Sequence, residues 1–314
     1  MEKTGFGEKQ KALSEILILT GLCLIGMLVF SGLAIFLVQG LTGMDASDML
    51  SSMNPEKAGD HGRSALLAMQ GLISSGSFIL FPMLIRFFSS PSPEQASLKP
   101  SVTLLLLVAG LSLLMMPVNA WLSAWNQSIR LPSFLQGFQS WALSKEKEME
   151  KLTGFLVDFS GWQEGLLGFL VIALLAGLTE EFFFRKMLQP RIIKLTGNPH
   201  AGIWLTAFIF SAIHIQFYGL VPRMMLGALF GYYFYWTGNI LLPVLAHVLN
   251  NGITLLGLIL YQQKVSPVNV ENPEEIPWYL GAIAAGVVWS LSSMFREEAL
   301  KIRRSSIHHP SPTP

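Results

Sequence analysis

The sequence predicts an all-α fold, a polytopic transmembrane helical bundle with about eight spans and both termini in the cytoplasm. The 314-residue chain is 51% hydrophobic and only 13% charged, whereas ordinary soluble domains contain about 25% charged residues. Its apolar residues form long runs separated by short charged stretches. A helix that crosses a bilayer needs about 20 such residues, so the pattern indicates a membrane protein.

Eight apolar segments are candidate membrane spans. They cover roughly residues 14–39, 64–88, 101–125, 164–189, 200–217, 220–237, 240–262 and 277–295. Turn-forming residues separate some of them, for example at residues 54–55, 90–93 and 272–273. The first apolar run is too long for the core of a secretion signal, and we interpret it as a retained span. Residues 141–152 predict a surface helix in the longest outer connection.

The basic residues predict the orientation. With the N-terminus inside, the inner segments carry Lys3, Lys9, Lys11, Arg86, Lys99, Arg185, Lys186, Arg191, Lys194, Arg296, Lys301, Arg303 and Arg304. These are the majority of the 21 Lys and Arg residues, as the positive-inside rule requires. An even number of spans then leaves both termini in the cytoplasm.

Several classes of function are disfavoured by what the sequence lacks. Cys23 is the single cysteine, so an intramolecular disulfide or a cysteine metal cluster is impossible. No basic patch with interleaved aromatic residues indicates a nucleic-acid partner. No predicted span contains an aspartate, which removes the paired-aspartate chemistry of one class of intramembrane protease. The motifs H-E-x-x-H and G-x-S-x-G are also absent.

The fourth predicted span carries two adjacent glutamates followed by an arginine. Glu181 and Arg185 are four residues apart, so on a helix they share a face and can form an ion pair. Glu180 is rotated by about 100° from Glu181. One carboxylate can therefore be neutralised by the arginine while the other remains available for chemistry.

Two further spans carry histidines with partners four residues away. Phe210 and His214 share a face on the fifth predicted span, and His247 and Asn251 share one on the seventh. A lone intramembrane histidine or asparagine is often only an interhelical hydrogen-bonding residue, and the Glu181–Arg185 pair could be purely structural. Together, however, the three segments indicate a site with acid–base groups and oxyanion donors.

In these residues the sequence resembles the CPBP family, the CAAX protease and bacteriocin-processing group of intramembrane peptidases. The family pattern is E-E-x-x-x-R, then F-x-x-x-H, then H-x-x-x-N, each on a different helix, and all three occur here in that order. The resemblance covers roughly residues 160–262. It implies a membrane peptidase similar to CAAX prenyl protease 2, acting on a membrane-associated peptide or protein in the lipid bilayer, in a bacterial plasma membrane.

The resemblance also implies roles for individual residues. Glu180 and His214 would activate a water molecule, while His247 and Asn251 would stabilise the tetrahedral oxyanion. Glu181, Arg185 and Phe210 would orient the site. Whether a metal takes part stays open. Glu180, His214 and His247 match the two-histidine, one-carboxylate pattern of zinc sites, whereas Asn251 suits oxyanion binding better than zinc. No cofactor is required with certainty, and zinc is the candidate.

The depth of the site raises a difficulty. Counted along the predicted spans, Glu180 and His247 lie about 8–10 Å from the inner surface, whereas His214 lies about 20 Å from it. Either the fifth helix begins below the membrane near Asn198, or a kink at Pro190 lets the fourth helix run deeper.

The chain is divided on this basis into five parts. They are a cytoplasmic segment (1–13), the first three spans with the outer loop (14–150), the catalytic core (151–262), the last span with its basic flank (263–304) and a disordered tail (305–314). Two other functions use the same buried groups. A proton-coupled transporter predicts repeat symmetry between halves, which we do not see. A non-enzymatic scaffold or immunity protein would not need all three motifs intact.

Overall fold

The structure, a computed structural model, describes residues 2–43, 62–88, 97–159, 161–267 and 277–308. All regular secondary structure in these ranges is helical. The helices are α1 (Glu2–Thr42), α2 (Gly62–Ser75), α3 (Val102–Ser128), α4 (Gln136–Val157), α5 (Trp162–Thr196), α6 (Pro199–Ala212), α7 (Leu220–Thr237), α8 (Leu241–Gln262) and α9 (Trp278–His308). The predicted breaks at residues 54–55, 90–93 and 272–273 lie outside the described residues.

Three helices depart from simple α geometry. A π-helical turn and a 3₁₀ turn prolong α2 as far as Phe87. Within α5, the segments Phe169–Leu175 and Phe182–Leu188 are π-helical. A short 3₁₀ turn (Ser133–Leu135) precedes α4. π-helical turns are rare and often occur at functional sites, and α5 contains two of the three in the described residues.

Among the described residues, six helices are long and apolar enough to cross a membrane, namely α1, α2 with its extension, α3, α5, α8 and α9. This confirms the predicted polytopic helical bundle. The segments predicted as the fifth and sixth spans form α6 and α7, which do not meet the same criteria. At 1.5 Å per residue they are about 21 Å and 27 Å long, shorter than the ~30 Å hydrocarbon core of a bilayer.

The turn between α5 and α6 accounts for the mismatch in depth. α5 does not end near residue 189 but continues past Pro190 to Thr196. Gly197 adopts a positive φ of 71°, and the Asn198 side chain caps α6. Glu180 therefore lies about 24 Å before the end of α5, and α6 ends about 20 Å from its start, two residues before His214. The side chains of Glu180 and His214 thus lie at a similar distance from the turn between α5 and α6.

Two apolar clusters flank the centre of the molecule. One joins α3, α7, α8 and α9 through buried residues that include Leu104, Leu111, Phe230, Tyr233, Leu242 and Phe295. The other joins α1, α2, α5 and α6 through Leu19, Cys23, Ile85, Phe183, Phe184 and Phe210. The single cysteine is thus a small buried apolar residue. α5 and α8 pack against each other between these clusters, and this contact holds the candidate site.

The peripheral predictions have different outcomes. The surface helix predicted for residues 141–152 is present as α4, which is longer at both ends. The tail predicted to be disordered begins inside α9, which continues to His308, and its remainder lies outside the described residues. The division into five parts and the orientation in the membrane stay predictions.

Close packing of α5 against α6 predicts a strong effect of Gly202→Ala. A Cβ atom at Gly202 would lie 2.8 Å from the Ile193 Cα and 2.9 Å from its backbone nitrogen. The helices would have to separate, at a cost of about 1–3 kcal/mol that exceeds the ~1 kcal/mol by which alanine favours a helix. We expect a lower melting temperature for the purified protein in detergent.

Gly110→Ala on α3 is the matched control, since no other atom lies within 4 Å of its Cβ position among the described residues. This variant should keep or raise the melting temperature. Equal effects of the two substitutions would contradict the packing argument.

Candidate active site

Glu181 is the centre of a buried ionic network. Its side chain is 0% exposed. One carboxylate oxygen, Oε2, lies 2.9 Å from Nε of Arg185, and the other, Oε1, lies 2.8 Å from Nδ1 of His247. The carboxylate therefore joins two residues of α5 to α8. The Glu181–Arg185 pair expected from the four-residue spacing is present, but it lies in the interior and not at an exposed rim.

Arg185 is held by polar and aromatic groups, although its Nη1 has no hydrogen-bond partner among the described residues. Its Nη2 donates to the backbone oxygen of Gly227 on α7, at 3.0 Å. The guanidinium carbon lies 4.8 Å from the centre of the Phe210 ring and 5.8 Å from that of Phe230. Cation–π contacts of this kind stabilise a desolvated arginine. The charge of Arg185 is thus used to fix Glu181 and to join α5 to α7.

The Glu181 contact determines how the His247 ring is oriented. An ionised carboxylate only accepts hydrogen bonds, so Nδ1 of His247 carries a proton and donates it to Glu181. The ring packs between Phe210 and Phe230, at centroid distances of 6.0 and 5.4 Å. Its other nitrogen, Nε2, lies 3.9 Å from Oε2 of Glu180. The motif histidine of α8 is therefore directed at the glutamate that Arg185 does not bind.

Glu180 has different surroundings from its neighbour. Its side chain is 17% exposed, in contrast to the fully buried Glu181. Within the described residues its ion-pair neighbour is His247, and no hydrogen bond or ion pair joins it to an arginine or to His214. The two adjacent glutamates thus differ in the way the sequence predicted. The predicted partnership of Glu180 with His214 would have to act through an intervening water.

His214 lies just beyond the end of α6, in the loop that leads to α7. Its Nδ1 is 2.8 Å from the backbone oxygen of Phe210. A carbonyl oxygen can only accept, so Nδ1 carries the proton, and in the neutral ring Nε2 is left with a free lone pair. The Phe210 ring packs against both histidines and under Arg185. This aromatic residue therefore connects all three motifs.

The loop of residues 213–219 is held by contacts from its surroundings. The buried Asn126 at the end of α3 donates to the Phe217 oxygen at 3.1 Å and accepts from the Val221 amide at 3.2 Å. Ile215 adopts a positive φ of 55°, which is strained for a β-branched residue. Such strain is often retained at functional sites, and here it occurs next to His214.

Asn251 lies one turn beyond His247 on α8. Its Nδ2 donates to the backbone oxygen of Ile172 at 3.0 Å, and its Oδ1 accepts from Asn250 at 3.2 Å. Ile172 belongs to the first π-helical segment of α5. An amide nitrogen has two hydrogens, so one N–H of Asn251 remains for a ligand. The predicted oxyanion donor is therefore held in place with one hydrogen to spare.

The predicted zinc ligands fit a zinc site only in part. Both histidines have Nδ1 bound to an oxygen and Nε2 free, as is usual for metal-binding histidines. However, no group of three or more His, Cys, Asp or Glu side chains in the described part of the chain is arranged to hold a metal ion. Glu180, His214 and His247 do not converge on one point, and we derive no step through zinc.

Two charged residues near the site were missed by the sequence analysis. Arg223, on the first turn of α7, interacts electrostatically with Glu180 and His214. Glu146 of α4 interacts with Arg223 in turn. Arg223 could have been found from the sequence, because an ionisable residue inside a predicted span, here 220–237, indicates a functional role. Nothing in the sequence near Glu146 indicates that α4 folds back over the loop.

The buried ion pair predicts a large loss of stability in Arg185→Met. The change leaves the Glu181 carboxylate buried without its cation, which costs about 3–5 kcal/mol in typical cases. We expect a strong decrease in the melting temperature. The double variant Glu181→Met with Arg185→Met should recover part of it. Lys145→Met, which removes an exposed ion pair with Glu148, should have little effect, and an equal loss there would argue against the interpretation.

The environment of Glu146 predicts a pH-dependent effect on stability. Burial raises the pKa of Glu146 above its ordinary value, although the Tyr218 amide and the Arg223 guanidinium lower it in part and the nearby Glu150 raises it slightly. A carboxyl whose pKa is higher in the folded state destabilises the fold once it ionises, so this penalty is absent at low pH and grows as the pH rises.

Glu146→Gln should therefore raise the melting temperature at about pH 7.5 and change it little at about pH 4. Glu148→Gln on the exposed side of α4 is the control. A larger stabilisation by Glu146→Gln at the lower pH would contradict the sign of this shift.

Comparison with known proteins places the site in a recognised domain. Residues 162–253 match the model of the type II CAAX prenyl endopeptidase Rce1-like family. The uncharacterized protein YpbD of Bacillus subtilis (strain 168) is 27% identical over 88 residues, which cover 27% of this chain and 42% of that protein. No solved structure matches the chain. The resemblance found in the motifs is thus supported by a match to the Rce1-like family model over residues 162–253, the part of the chain that contains all three motifs.

Proposed function

We propose that this protein is an intramembrane endopeptidase that hydrolyses a peptide bond in a membrane-associated peptide or protein. The observation that carries the proposal is the contrast between the two adjacent glutamates. Glu181 is fully buried and bound to both Arg185 and His247. Glu180 is partly exposed and lies 3.9 Å from Nε2 of His247. The domain match over residues 162–253 supports a peptidase of this type.

In the proposed reaction, Glu180 is the general base. A water molecule between Glu180 and His214 is deprotonated by the Glu180 carboxylate, and its oxygen attacks the carbonyl carbon of the substrate. The lone pair on Nε2 of His214 accepts the second hydrogen of this water as a hydrogen bond. Glu180 then returns the proton to the leaving nitrogen as the C–N bond breaks. The protein is left in its starting protonation state.

His247 and Asn251 stabilise the negative charge that develops on the carbonyl oxygen. With Nδ1 donating to Glu181, His247 offers a second N–H at Nε2 when the ring is an imidazolium. The net charge of the network would then be zero, because the two cations Arg185 and His247 balance the two carboxylates Glu181 and Glu180. The spare N–H of Asn251 would be the second donor. Donors of this kind typically contribute a large part of the rate enhancement.

Two active-site variants test the proposal. Glu180→Gln keeps the shape of the side chain but removes the base, and His247→Ala removes the proposed oxyanion donor. The purified protein in nanodiscs would be assayed against a quenched fluorescent peptide library. We expect the parent to cleave some of these peptides, and each variant to be slower by about 100-fold or more.

Matched controls are available on the surface. Glu148→Gln and His200→Ala make the same chemical changes at exposed positions and should retain activity. Each preparation is run with a chelator and with added zinc, so that a metal requirement is measured directly. If correctly folded parent protein cleaves nothing across the library, a scaffold or a proton-coupled transporter becomes the better explanation.

A further inference from the structure

Two buried polar atoms next to the candidate site lack partners among the described residues. They are Oε2 of Glu146 and Nη1 of Arg223. The other terminal nitrogen of Arg223, Nη2, donates to the Gln216 side chain at 2.7 Å. Buried polar atoms in proteins are almost always hydrogen-bonded. The two atoms therefore have unused hydrogen-bonding capacity, one as an acceptor and one as a donor.

The position of Arg223 connects this pair to the chemistry. The guanidinium lies against Gly219, where a Cβ atom would come within 3.1 Å of Nη2, so the glycine leaves room for it. Arg223 interacts electrostatically with Glu146 and with Glu180, and also with His214. The unpartnered donor thus belongs to a residue that interacts with both residues proposed to activate water, and the unpartnered acceptor belongs to a residue that interacts with this arginine.

The chemistry of the pair indicates which group it would bind. A carboxylate ligand would be attracted by Arg223 but repelled by Glu146. A cation would be attracted by Glu146 but repelled by Arg223. A neutral group with one N–H and one C=O satisfies both atoms. A residue of an extended peptide chain has this pattern, because its own N–H donor and C=O acceptor point to the same side.

We propose that Glu146 and Arg223 form a substrate-binding subsite that holds the backbone of the peptide next to the scissile bond. Glu146 accepts a hydrogen bond from a peptide N–H, and Arg223 donates one to a peptide carbonyl oxygen. The subsite rests on the proposed peptidase function. It is distinct from the three motifs, because both residues lie outside them, on α4 and α7.

The attachment of α4 is consistent with access for a substrate. Of its 22 residues only Ala142 and Val157 are buried. Phe138 of α4 packs edge-to-face on Phe217 of the 213–219 loop, with ring centroids 5.5 Å apart. A helix with so few buried residues is at the low-stability end of the structure. A peptide can therefore enter between α4 and the loop without disturbing the buried Glu181 network.

The first test separates binding from catalysis. With a peptide that the parent cleaves, kcat and KM are measured for Glu146→Met and Arg223→Met. The controls are Glu148→Met and Arg130→Met, which change exposed residues. We expect KM to rise about tenfold or more in each subsite variant, with kcat within about twofold, because binding common to ground and transition states is lost.

The second test identifies the bonded group. Each amide of the substrate is replaced in turn by an ester, which removes the N–H without adding bulk. One replacement should raise KM for the parent but not for Glu146→Met. The melting temperature of every variant is recorded, and Glu146→Gln, expected to be more stable than the parent at neutral pH, is included so that weaker binding cannot be attributed to misfolding.

The outcomes distinguish this inference from the proposed function. Whether the parent cleaves any peptide is measured separately. If it cleaves none, the peptidase proposal itself fails. If the parent cleaves while Glu146→Met and Arg223→Met retain its KM, the subsite is refuted and the peptidase stands. A loss of kcat at unchanged KM would also refute it, since the residues would then act on the chemical step. An ester replacement that still raises KM in Glu146→Met would also refute the subsite.

Discussion

The ion pair between Glu181 and Arg185 is the interaction on which the centre of this structure depends. Both side chains are removed from solvent, and an isolated charge in such a place costs several kcal/mol. Each is therefore bound by more than one partner. Arg185 reaches the Gly227 carbonyl on α7 and the ring of Phe210, and Glu181 reaches His247 on α8. The charge pair thus determines how α5, α6, α7 and α8 meet.

This network explains why two adjacent glutamates have different chemistry. Neighbouring positions on a helix point about 100° apart, so only one carboxylate can face Arg185. Glu181 takes that position and in doing so orients the imidazole of His247, as the buried carboxylate orients the histidine of a catalytic triad. Glu180 is directed toward the nitrogen that this arrangement leaves free. The stability of the core and the geometry of the site depend on the same contacts.

The sequence predicted the helical class, the surface helix α4 and the three motifs, because these depend on local hydropathy and on four-residue spacing. It ended the fourth span near residue 189 and gave a kink at Pro190 as one way for this helix to run deeper. In the structure a π-helical segment precedes Pro190 and the helix continues to Thr196. The segments predicted as the fifth and sixth spans form the shorter helices α6 and α7, because apolar composition says little about where a helix ends. Arg223 was overlooked, although its charge lies inside an apolar segment.

The contribution of Glu146 could not have been predicted, because it depends on a long-range contact between α4 and the loop after α6. This contact has a physical consequence for the protein as a whole. A buried carboxylate without a hydrogen bond on one oxygen lowers the stability of the folded state. Proteins tolerate such groups mainly where function requires them. On this argument the buried core fixes Glu181, Arg185 and His247 through their mutual contacts, while α4 carries an acceptor, Oε2 of Glu146, that a substrate would complete.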